Sequence, residues 1–212
     1  MSRQRRLRRA ELPPDTLALA GFLLGKLLIR EAPEGRTAGR IVETEAYHER
    51  DRASHTFGGR TARNAVMFGQ RGCAYVYFSY GMHWCVNVTS EEPGVGAAVL
   101  IRALEPLEGI AIMRSRRGHV RDGDLARGPG RLTRALAIDS SYNGSDLCAR
   151  GATLWLADDG YVTARVERGP RIGITRDAHL PWRYFIPGNR FVSGPRRAEG
   201  ADRKGGQLRQ TP

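Results

Sequence analysis

Two carboxylates and a tyrosine alternate along one short stretch of the sequence, RIVETEAY. If residues 41–47 form a β-strand, Ile41, Glu43, Glu45 and Tyr47 lie on one face and the intervening residues lie on the other. Carboxylates can act as general bases, and two of them beside a tyrosine are unusual at the end of a purely structural core strand. The alternative is that these side chains form the solvent face of an edge strand.

A second candidate feature is a predicted hairpin in the segment AYVYFSYGMHWCVNVT. Tyr80 lies at its predicted tip beside Gly81 and Met82, where an aromatic side chain has little to pack against. On a basic protein, exposed apolar side chains can insert between the bases of a duplex. An ordinary tyrosine lying over a neighbouring loop is the alternative. Tyr75 and Tyr77 alternate with apolar residues, so one hairpin face could belong to an aromatic pocket.

The composition indicates a globular protein with a polyanionic partner. The chain has 212 residues, of which 41% are hydrophobic and 26% charged, which suits one domain with a substantial core. The net charge of +12 is concentrated at the two ends, with +5 in residues 1–10 and +3 from residue 193 onward. No apolar run approaches the roughly 20 residues of a membrane span, and no apolar segment of a secretory signal follows the basic N-terminus. We therefore expect no membrane partner.

The numbers and spacings of the cysteines, histidines and lysines argue against metal sites and leave few amine nucleophiles. The three cysteines form no CxxC pair, which argues for a reducing compartment and against a zinc ribbon or an iron–sulfur cluster. His48 and His55 have six residues between them, which fits no usual zinc spacing. We therefore expect no metal and no cofactor. Of the 34 basic residues only Lys26 and Lys204 are lysines, which leaves few amines for covalent catalysis.

The chain divides into one domain and two basic ends. We expect flexible tails over residues 1–12 and 194–212 and a single domain over 13–193. A helix is predicted over TLALAGFLLG, a second from Pro106 (PLEGIAIMRSRR), and a third after the Gly/Pro loop in LARGPGRLTRALAI. The β-prone runs are KLLIR, AGRIVETEAY, AYVYF, HWCVNVT and AAVLIRAL, with an irregular loop over 51–72.

This order of elements predicts the fold class. Strands and helices are interspersed and hairpins are prominent, so we expect a mixed α/β (α+β) domain. It should contain a largely antiparallel curved sheet, surrounding helices and a protruding β-hairpin. The exposed tip of this hairpin on a basic protein is what indicates insertion into DNA.

Six consecutive motifs resemble those of a known family. They are RIVETEAY, ASHTFGGRTARNAVMF, AYVYFSYGMHWCVNV, VLIRALEPLEG, GPGRLTRALAI and PRIGIT. Their order is similar to that in the alkyladenine (3-methyladenine) DNA glycosylase family, over about Leu17 to Ser193. The resemblance implies a monofunctional enzyme that flips alkylated, and also deaminated, purines out of duplex DNA and removes them hydrolytically, leaving an abasic site. It implies a monomer that binds double-stranded DNA, cytoplasmic and nucleoid-associated in a bacterium or nuclear in a eukaryote.

The resemblance also assigns catalytic roles. Glu45 matches the general base, which deprotonates the water that attacks the anomeric carbon. Arg102 matches an arginine that holds this water and Glu45; within the apolar strand VLIRAL an arginine requires such a carboxylate partner in any case. The backbone carbonyl near Ile172 is expected to complete the water site.

Further matches concern the damaged base and the DNA. Tyr47 and His55 match the pair that sandwiches the flipped base, with Tyr77 at its edge, and Asn87 matches the residue that excludes guanine by a clash with its 2-amino group. Tyr80, with Met82 beside it, matches the wedge that fills the space the nucleotide leaves.

Two segments could contact the DNA backbone. The turn containing Gly128, Gly130 and Arg131 precedes a helix, so its N–H groups could receive a phosphate, although it could equally be a simple loop-to-helix connection. Arg63 and Asn64 could reach the backbone from the loop after the glycine pair.

One rival class remains open from the sequence. The chain could be a non-catalytic, arginine-rich nucleic-acid-binding protein in which Glu45 is only structural. Release of a damaged base from duplex DNA by the wild type and by Glu45→Gln would separate the two classes.

Overall fold

The computed structural model describes residues 4–79 and 81–194. In chain order, the strands and helices of these residues are β1 Arg5–Arg6, α1 Thr16–Phe22, β2 Leu27–Ala32, β3 Gly35–His48, β4 Ala74–Ser79, β5 His83–Thr89, β6 Ala97–Glu108, α2 Ile110–Arg117, α3 Pro129–Leu136, β7 Leu154–Asp158, β8 Glu167–Gly169 and β9 Arg183–Phe185. Short 3-10 helices occupy Arg9–Glu11, Ala65–Phe68, Asp122–Asp124 and Ser140–Tyr142.

The strands form one open, antiparallel sheet. Their order is β1-β7-β2-β3-β6-β5-β4, and β9 pairs with both β3 and β8. The long central strands β3 and β6, of 14 and 12 residues, carry most of the pairing. This architecture confirms the predicted mixed α and β domain with a largely antiparallel sheet. Strand β7 is not predicted by the sequence patterns considered above.

The two faces of the sheet have different roles. Side chains of β3 to β6 that alternate with the candidate site residues enter the main hydrophobic core, including Val42, Val76, Val88 and Ile101. Helices α1 and α3 pack on β3, β5 and β6, and the buried face of α3 joins the same core. The opposite face of these strands is therefore left for the polar and aromatic side chains of the site.

Two shifts of register interrupt the pairing of β3 with β6 beside Glu45, the candidate general base. Ile41 pairs with Leu104 and Glu43 with Ala103, so the ladder shifts between Ile41 and Glu43 and again before Thr44. Ile41 consequently packs in the main core, together with its neighbour Val42. The prediction that Ile41 shares a face with Glu43 and Glu45 is wrong, because a bulge reverses the alternation at this point.

The prediction of a helix starting at Pro106 is also wrong. Strand β6 continues through Pro106, which pairs with Gly39 where the register of β3 shifts. A proline has no N–H to donate, and an irregularity in the ladder tolerates it. Helix α2 starts only after Gly109, which has a φ of 68°; a Cβ atom at this position would clash with the Arg36 carbonyl oxygen, so only glycine fits.

The N-terminal segment lies against the sheet from Gln4 onward. Arg5–Arg6 pairs with β7, and Leu7 and Leu12 are each only 1% exposed. The guanidinium of Arg6 lies 4.0 Å from the centre of the Trp155 ring. Residues 4–12 therefore contact the sheet, and the two leucines are buried in the core. The C-terminal tail beyond residue 194 lies outside the described residues.

The predicted hairpin consists of β4 and β5, which pair from Ala74↔Val88 to Ser79↔His83. The loop over 51–72 is irregular apart from its short 3-10 helix. None of the helices in residues 4–79 and 81–194 is long and apolar enough to cross a membrane.

Candidate active site

A cleft of about 460 Å³ opens on the face of the sheet opposite the main core. This volume lies within the usual range for small-molecule sites. Strands β3 to β6 supply its floor, and residues 53–63 and 172–174 supply further walls. The sequence-predicted residues that line it are Tyr47, His55, Arg63, Tyr77, Asn87, Arg102 and Ile172.

Glu45 lies beneath the cleft and is fully buried. Its Oε2 atom accepts hydrogen bonds from the Tyr47 hydroxyl at 2.9 Å and from Arg102 Nη1 at 3.4 Å. Its Oε1 atom accepts a hydrogen bond from the Ile172 N–H at 2.8 Å. All three partners line the cleft, so the carboxylate is held in a fixed orientation directly behind the cleft wall. For Ile172 it is the amide group that contacts Glu45.

Burial raises the pKa of Glu45 above its ordinary value. The positive charge of Arg102 and the hydrogen bonds from Ile172 and Tyr47 oppose this shift, and the nearby charge of Glu43 adds to it. A carboxylate with a raised pKa is a stronger proton acceptor than a solvated one, while its hydrogen bonds keep it available in the charged form. These properties are the ones that a proton acceptor at the cleft would need.

Glu43 lies on the same face of β3 as Glu45 and also contacts Arg102. Its carboxylate accepts hydrogen bonds from the Arg183 Nε atom and from the backbone N–H and hydroxyl of Ser193. Arg102 Nε donates to the Ser193 hydroxyl at 3.0 Å and lies 3.5 Å from Glu43 Oε1. Arg102, whose side chain is 12% exposed, is therefore paired with two carboxylates, as expected for an arginine within an apolar strand.

Aromatic side chains form one wall of the cleft. The His55 and Tyr77 rings meet edge to face with centroids 4.5 Å apart, and the Tyr75 and Tyr77 rings are stacked at 5.4 Å. His55 Nδ1 forms a 2.9 Å hydrogen bond with the Tyr75 hydroxyl. Tyr47 also lines the cleft. Flat apolar surfaces of this kind suit a planar heteroaromatic ligand.

The histidine and the tyrosines of this wall are uncharged at neutral pH. Burial, aided by the nearby Arg63, lowers the pKa of His55. Burial raises the pKa of Tyr77, and the nearby Cys85 adds to that shift. The wall therefore offers neutral rings, which suits an aromatic ligand of either neutral or positive charge.

Asn87 lies on β5 at the cleft floor and is 4% exposed. Its side-chain nitrogen donates to the Tyr75 carbonyl oxygen at 3.0 Å, which fixes the orientation of the amide. Cys85 and Leu100 also line the cleft, from the same sheet face, and were not predicted. Cys85 lies two residues before Asn87 on the same strand, so the period of two along β5 could have indicated it from the sequence.

The two loop residues proposed to contact the DNA backbone differ in exposure. Asn64 is 2% exposed, and its side-chain nitrogen donates to the carbonyl oxygens of His55 and Gly59 at 2.8 and 3.0 Å. Its role in the structure is to hold the His55 loop in shape. Arg63 is exposed at the cleft, with its guanidinium 5.9 Å from the Tyr77 ring centre, and remains a candidate for a phosphate contact.

The hairpin tip carries an exposed apolar side chain next to a basic groove. Met82 is 75% exposed, whereas Tyr80 lies outside the described residues. Met82 borders a groove of about 370 Å³ that also includes Gly128, Gly130 and Arg131. A Cβ atom at Gly130 would clash with the His83 ring, so only glycine allows the start of α3 to pack this closely on β5. Further arginines of the groove are Arg117, Arg127 and Arg134.

Two groups of functional candidates escaped the sequence patterns. The Glu43–Arg183–Ser193 contacts and a buried pair between Asp51 and Arg171 join residues more than 100 positions apart. No local spacing in the sequence could have indicated either. Among residues 4–79 and 81–194, no group of three or more His, Cys, Asp or Glu side chains is placed to hold a metal ion.

The sequence matches a family of DNA repair enzymes. The family model described as Methylpurine-DNA glycosylase (MPG) matches residues 10–190. A Mesorhizobium japonicum protein named "Putative 3-methyladenine DNA glycosylase" is 56% identical over 188 residues, which cover 89% of this chain and 90% of that protein. A protein of the same name from Paraburkholderia phytofirmans is 49% identical over 90% of this chain and 89% of its own length. Another, from Rubrobacter xylanophilus, is 48% identical over 84% of this chain and 92% of its own length.

These matches include the strands and loops that form the cleft. The family match begins before α1 and ends beyond β9, so it contains every candidate catalytic and base-pocket residue named above. From its sequence, the chain belongs to the methylpurine-DNA glycosylase family.

Proposed function

We propose that this protein is a monofunctional DNA glycosylase that removes alkylated purines, and also deaminated purines, from duplex DNA in base excision repair. The observation that carries the proposal is a buried carboxylate, Glu45, held by three groups that all line an aromatic cleft. A non-catalytic binding protein has no need of such a site, because burying a carboxylate is costly. Membership of the glycosylase family supports the enzymatic role.

The reaction follows from the chemistry of the glycosidic bond. The bond between the sugar C1′ atom and the purine nitrogen breaks, and its electron pair leaves with the base. The sugar then has oxocarbenium character, which the Glu45 carboxylate stabilises electrostatically. The oxygen of a water molecule bonds to C1′, and Glu45 accepts the proton that this water loses. The products are a free base and an abasic sugar.

The cleft explains how a base can reach this carboxylate. A purine inside a duplex is inaccessible, so the nucleotide must rotate out of the stack into a pocket with stacking surfaces. Tyr47 and His55 would provide these surfaces, with Tyr77 at the edge. Asn87, fixed by its bond to the Tyr75 carbonyl, would exclude normal guanine by a clash with its 2-amino group.

The rim of the cleft provides a surface for the DNA. Met82 is exposed at the hairpin tip, where it and Tyr80 would fill the space that the flipped nucleotide leaves. The adjacent groove, with Gly128, Gly130 and Arg131 at the start of α3, would receive backbone phosphates. One protein molecule supplies every element of this site, so we expect a monomer to be active, and its bacterial relatives suggest that it acts on the nucleoid.

The decisive experiment is base release by the wild type and by Glu45→Gln. Duplex oligonucleotides that each contain one alkylated purine are incubated with excess enzyme, and the free base is quantified. The substitution keeps the shape of the side chain but removes the proton acceptor. We expect binding to persist while the single-turnover rate falls at least ~100-fold.

A matched control separates the loss of the general base, Glu45, from a general effect of losing a carboxylate. Glu92→Gln removes an exposed carboxylate that pairs with Arg71, and it should leave the rate unchanged. If the wild type binds such duplexes but releases no base from any of them, the protein is not a glycosylase. If Glu45→Gln retains the wild-type rate, the general base lies elsewhere.

A further inference from the structure

Asp51 and Arg171 form a buried ion pair behind the cleft. Both side chains are 0% exposed. Arg171 Nη2 donates to Asp51 Oδ1 at 2.8 Å, and Nη1 donates to the other carboxylate oxygen, so the pair is bidentate. Neither residue lines the cleft. A buried pair of this kind fixes geometry well, because the planar guanidinium and the carboxylate constrain each other in two bonds.

Arg171 makes further contacts with the segment around Tyr47. Its Nη1 atom donates to the Ala46 carbonyl oxygen at 2.9 Å, and its guanidinium lies 4.7 Å from the centre of the Tyr47 ring. On another side it lies 5.2 Å from the Trp182 ring centre, and Nη2 is 3.4 Å from the Asp177 carbonyl oxygen. One side chain therefore joins the end of β3 to the segments on either side of residue 177.

The ion pair connects the three segments that form the walls of the cleft. Asp51 begins the turn that leads to His55, and its carboxylate also accepts a hydrogen bond from the Ala53 N–H at 3.0 Å. Arg171 immediately precedes Ile172, whose N–H holds Glu45. Tyr47 is the ring against which the guanidinium packs. The segments that contain His55 and Ile172 are irregular, and Tyr47 lies near the end of β3. Their positions therefore depend on contacts of this kind.

We propose that Asp51 and Arg171 are positioning residues that fix Tyr47, His55 and the Ile172 N–H relative to one another. Neither touches the substrate; they act through the residues that do. This role rests on the proposed glycosylase function. A shift of about 1 Å in a catalytic contact can lower a rate ~100-fold. The Asp51–Arg171 pair, called the latch below, should therefore affect the rate of the chemical step.

The test compares two isosteric changes in matched ion pairs. Asp51→Asn removes the anion of the proposed latch. Asp159→Asn removes the anion of a second bidentate pair, with Arg40, which also packs on a tyrosine and bonds a carbonyl oxygen but lies outside the cleft lining. Both changes should lower the melting temperature. Only Asp51→Asn should lower the excision rate of the bound complex.

The readout is the single-turnover rate constant at saturating enzyme, measured beside the dissociation constant for undamaged duplex. A merely unfolded fraction reduces the concentration of active enzyme but leaves this rate constant unchanged at saturation. We expect Asp51→Asn to lower it about 10- to 100-fold with unchanged affinity for undamaged DNA, and Asp159→Asn to leave both values unchanged. A wild-type rate constant in Asp51→Asn would overturn the proposal.

A second variant covers the case in which Asp51→Asn does not fold. Arg171→Lys keeps a cation opposite Asp51, but its single nitrogen cannot reproduce the planar guanidinium fork that bonds both oxygens of Asp51. It should also lower the saturated rate constant, and a wild-type value would overturn the latch. Base release by the wild type is measured first: if there is none, the glycosylase function fails, whereas normal wild-type release with unaffected variants refutes only the latch.

Discussion

Glu43 and Glu45 share one guanidinium group, that of Arg102. Its Nε atom lies 3.5 Å from Glu43 Oε1, and its Nη1 atom lies 3.4 Å from Glu45 Oε2. Burial raises the pKa of Glu45, Arg102 counteracts the shift, and Glu43 reinforces it. The pKa of Glu45 is therefore set mainly by burial and adjusted by one cation and one neighbouring anion, and these two charges can be removed one at a time.

The pH dependence of base release should reflect the raised pKa of Glu45. A raised pKa means that the carboxylate holds its proton to a higher pH, so the general base is lost as the pH falls through the raised value. The single-turnover rate should therefore decline below a midpoint that is higher than the ordinary 4.5 of glutamate. The residual rate of Glu45→Gln should lack this acid limb. A wild-type midpoint at or below 4.5 would contradict the assignment.

Glu43→Gln should shift this midpoint to lower pH. The change removes a negative charge that raises the pKa of Glu45, so the base form persists in more acidic solution. It also leaves Arg183 without its anion, which should lower the free energy of unfolding by about 3–5 kcal/mol. Ser193→Ala is the control, because it removes the hydroxyl's hydrogen bonds with the same carboxylate and with Arg102 without changing the charge. Equal midpoints in Glu43→Gln and the wild type would exclude the electrostatic coupling.

Local sequence patterns predicted the parts of the site that lie on regular strands. The period of two along a strand places Glu45 and Tyr47 on the same face, and it does the same for Asn87 on β5 and Tyr77 on β4. Antiparallel pairing then brings these strands side by side; Asn87, for example, pairs with Leu100 next to Glu45. Alternation alone indicated Glu45, Tyr47 and Tyr77, whereas Asn87 was predicted only from the resemblance to the family.

Patterns of this kind failed where the alternation is interrupted or the contacts are distant. The register shift near Glu43 moved Ile41 to the core face, and no propensity of the residues involved signals such a shift. Pro106 was interpreted as a helix start, although an irregular β-strand can also hold a proline. The Asp51–Arg171 pair spans 120 positions and depends on how whole segments pack, which local sequence does not record.

Met82→Ala should slow excision from duplex DNA more than from single-stranded DNA. Met82 is exposed at the hairpin tip, so its removal should not affect the melting temperature, but a wedge offsets an unstacking cost of a few kcal/mol that exists only in the duplex. Tyr80→Ala should behave in the same way. Val162→Ala, at another apolar side chain with 86% exposure, is the matched control. An equal loss of rate on both substrates would show that Met82 and Tyr80 act on the base pocket and not as a wedge.

Base release should leave the DNA strand intact. Cutting the strand at an abasic sugar usually requires an amine that forms a Schiff base with C1′. Lys26 is paired with Asp158 at 2.8 Å and is not among the residues lining the cleft, and Lys204 lies in the C-terminal tail. The nucleophile that Glu45 can activate is water, so strand breaks should appear only after added alkali, which also serves as the control that base release took place. Borohydride added during the reaction should trap no covalent protein–DNA adduct; an adduct formed alongside base release would show that an amine, and not water, attacks the sugar.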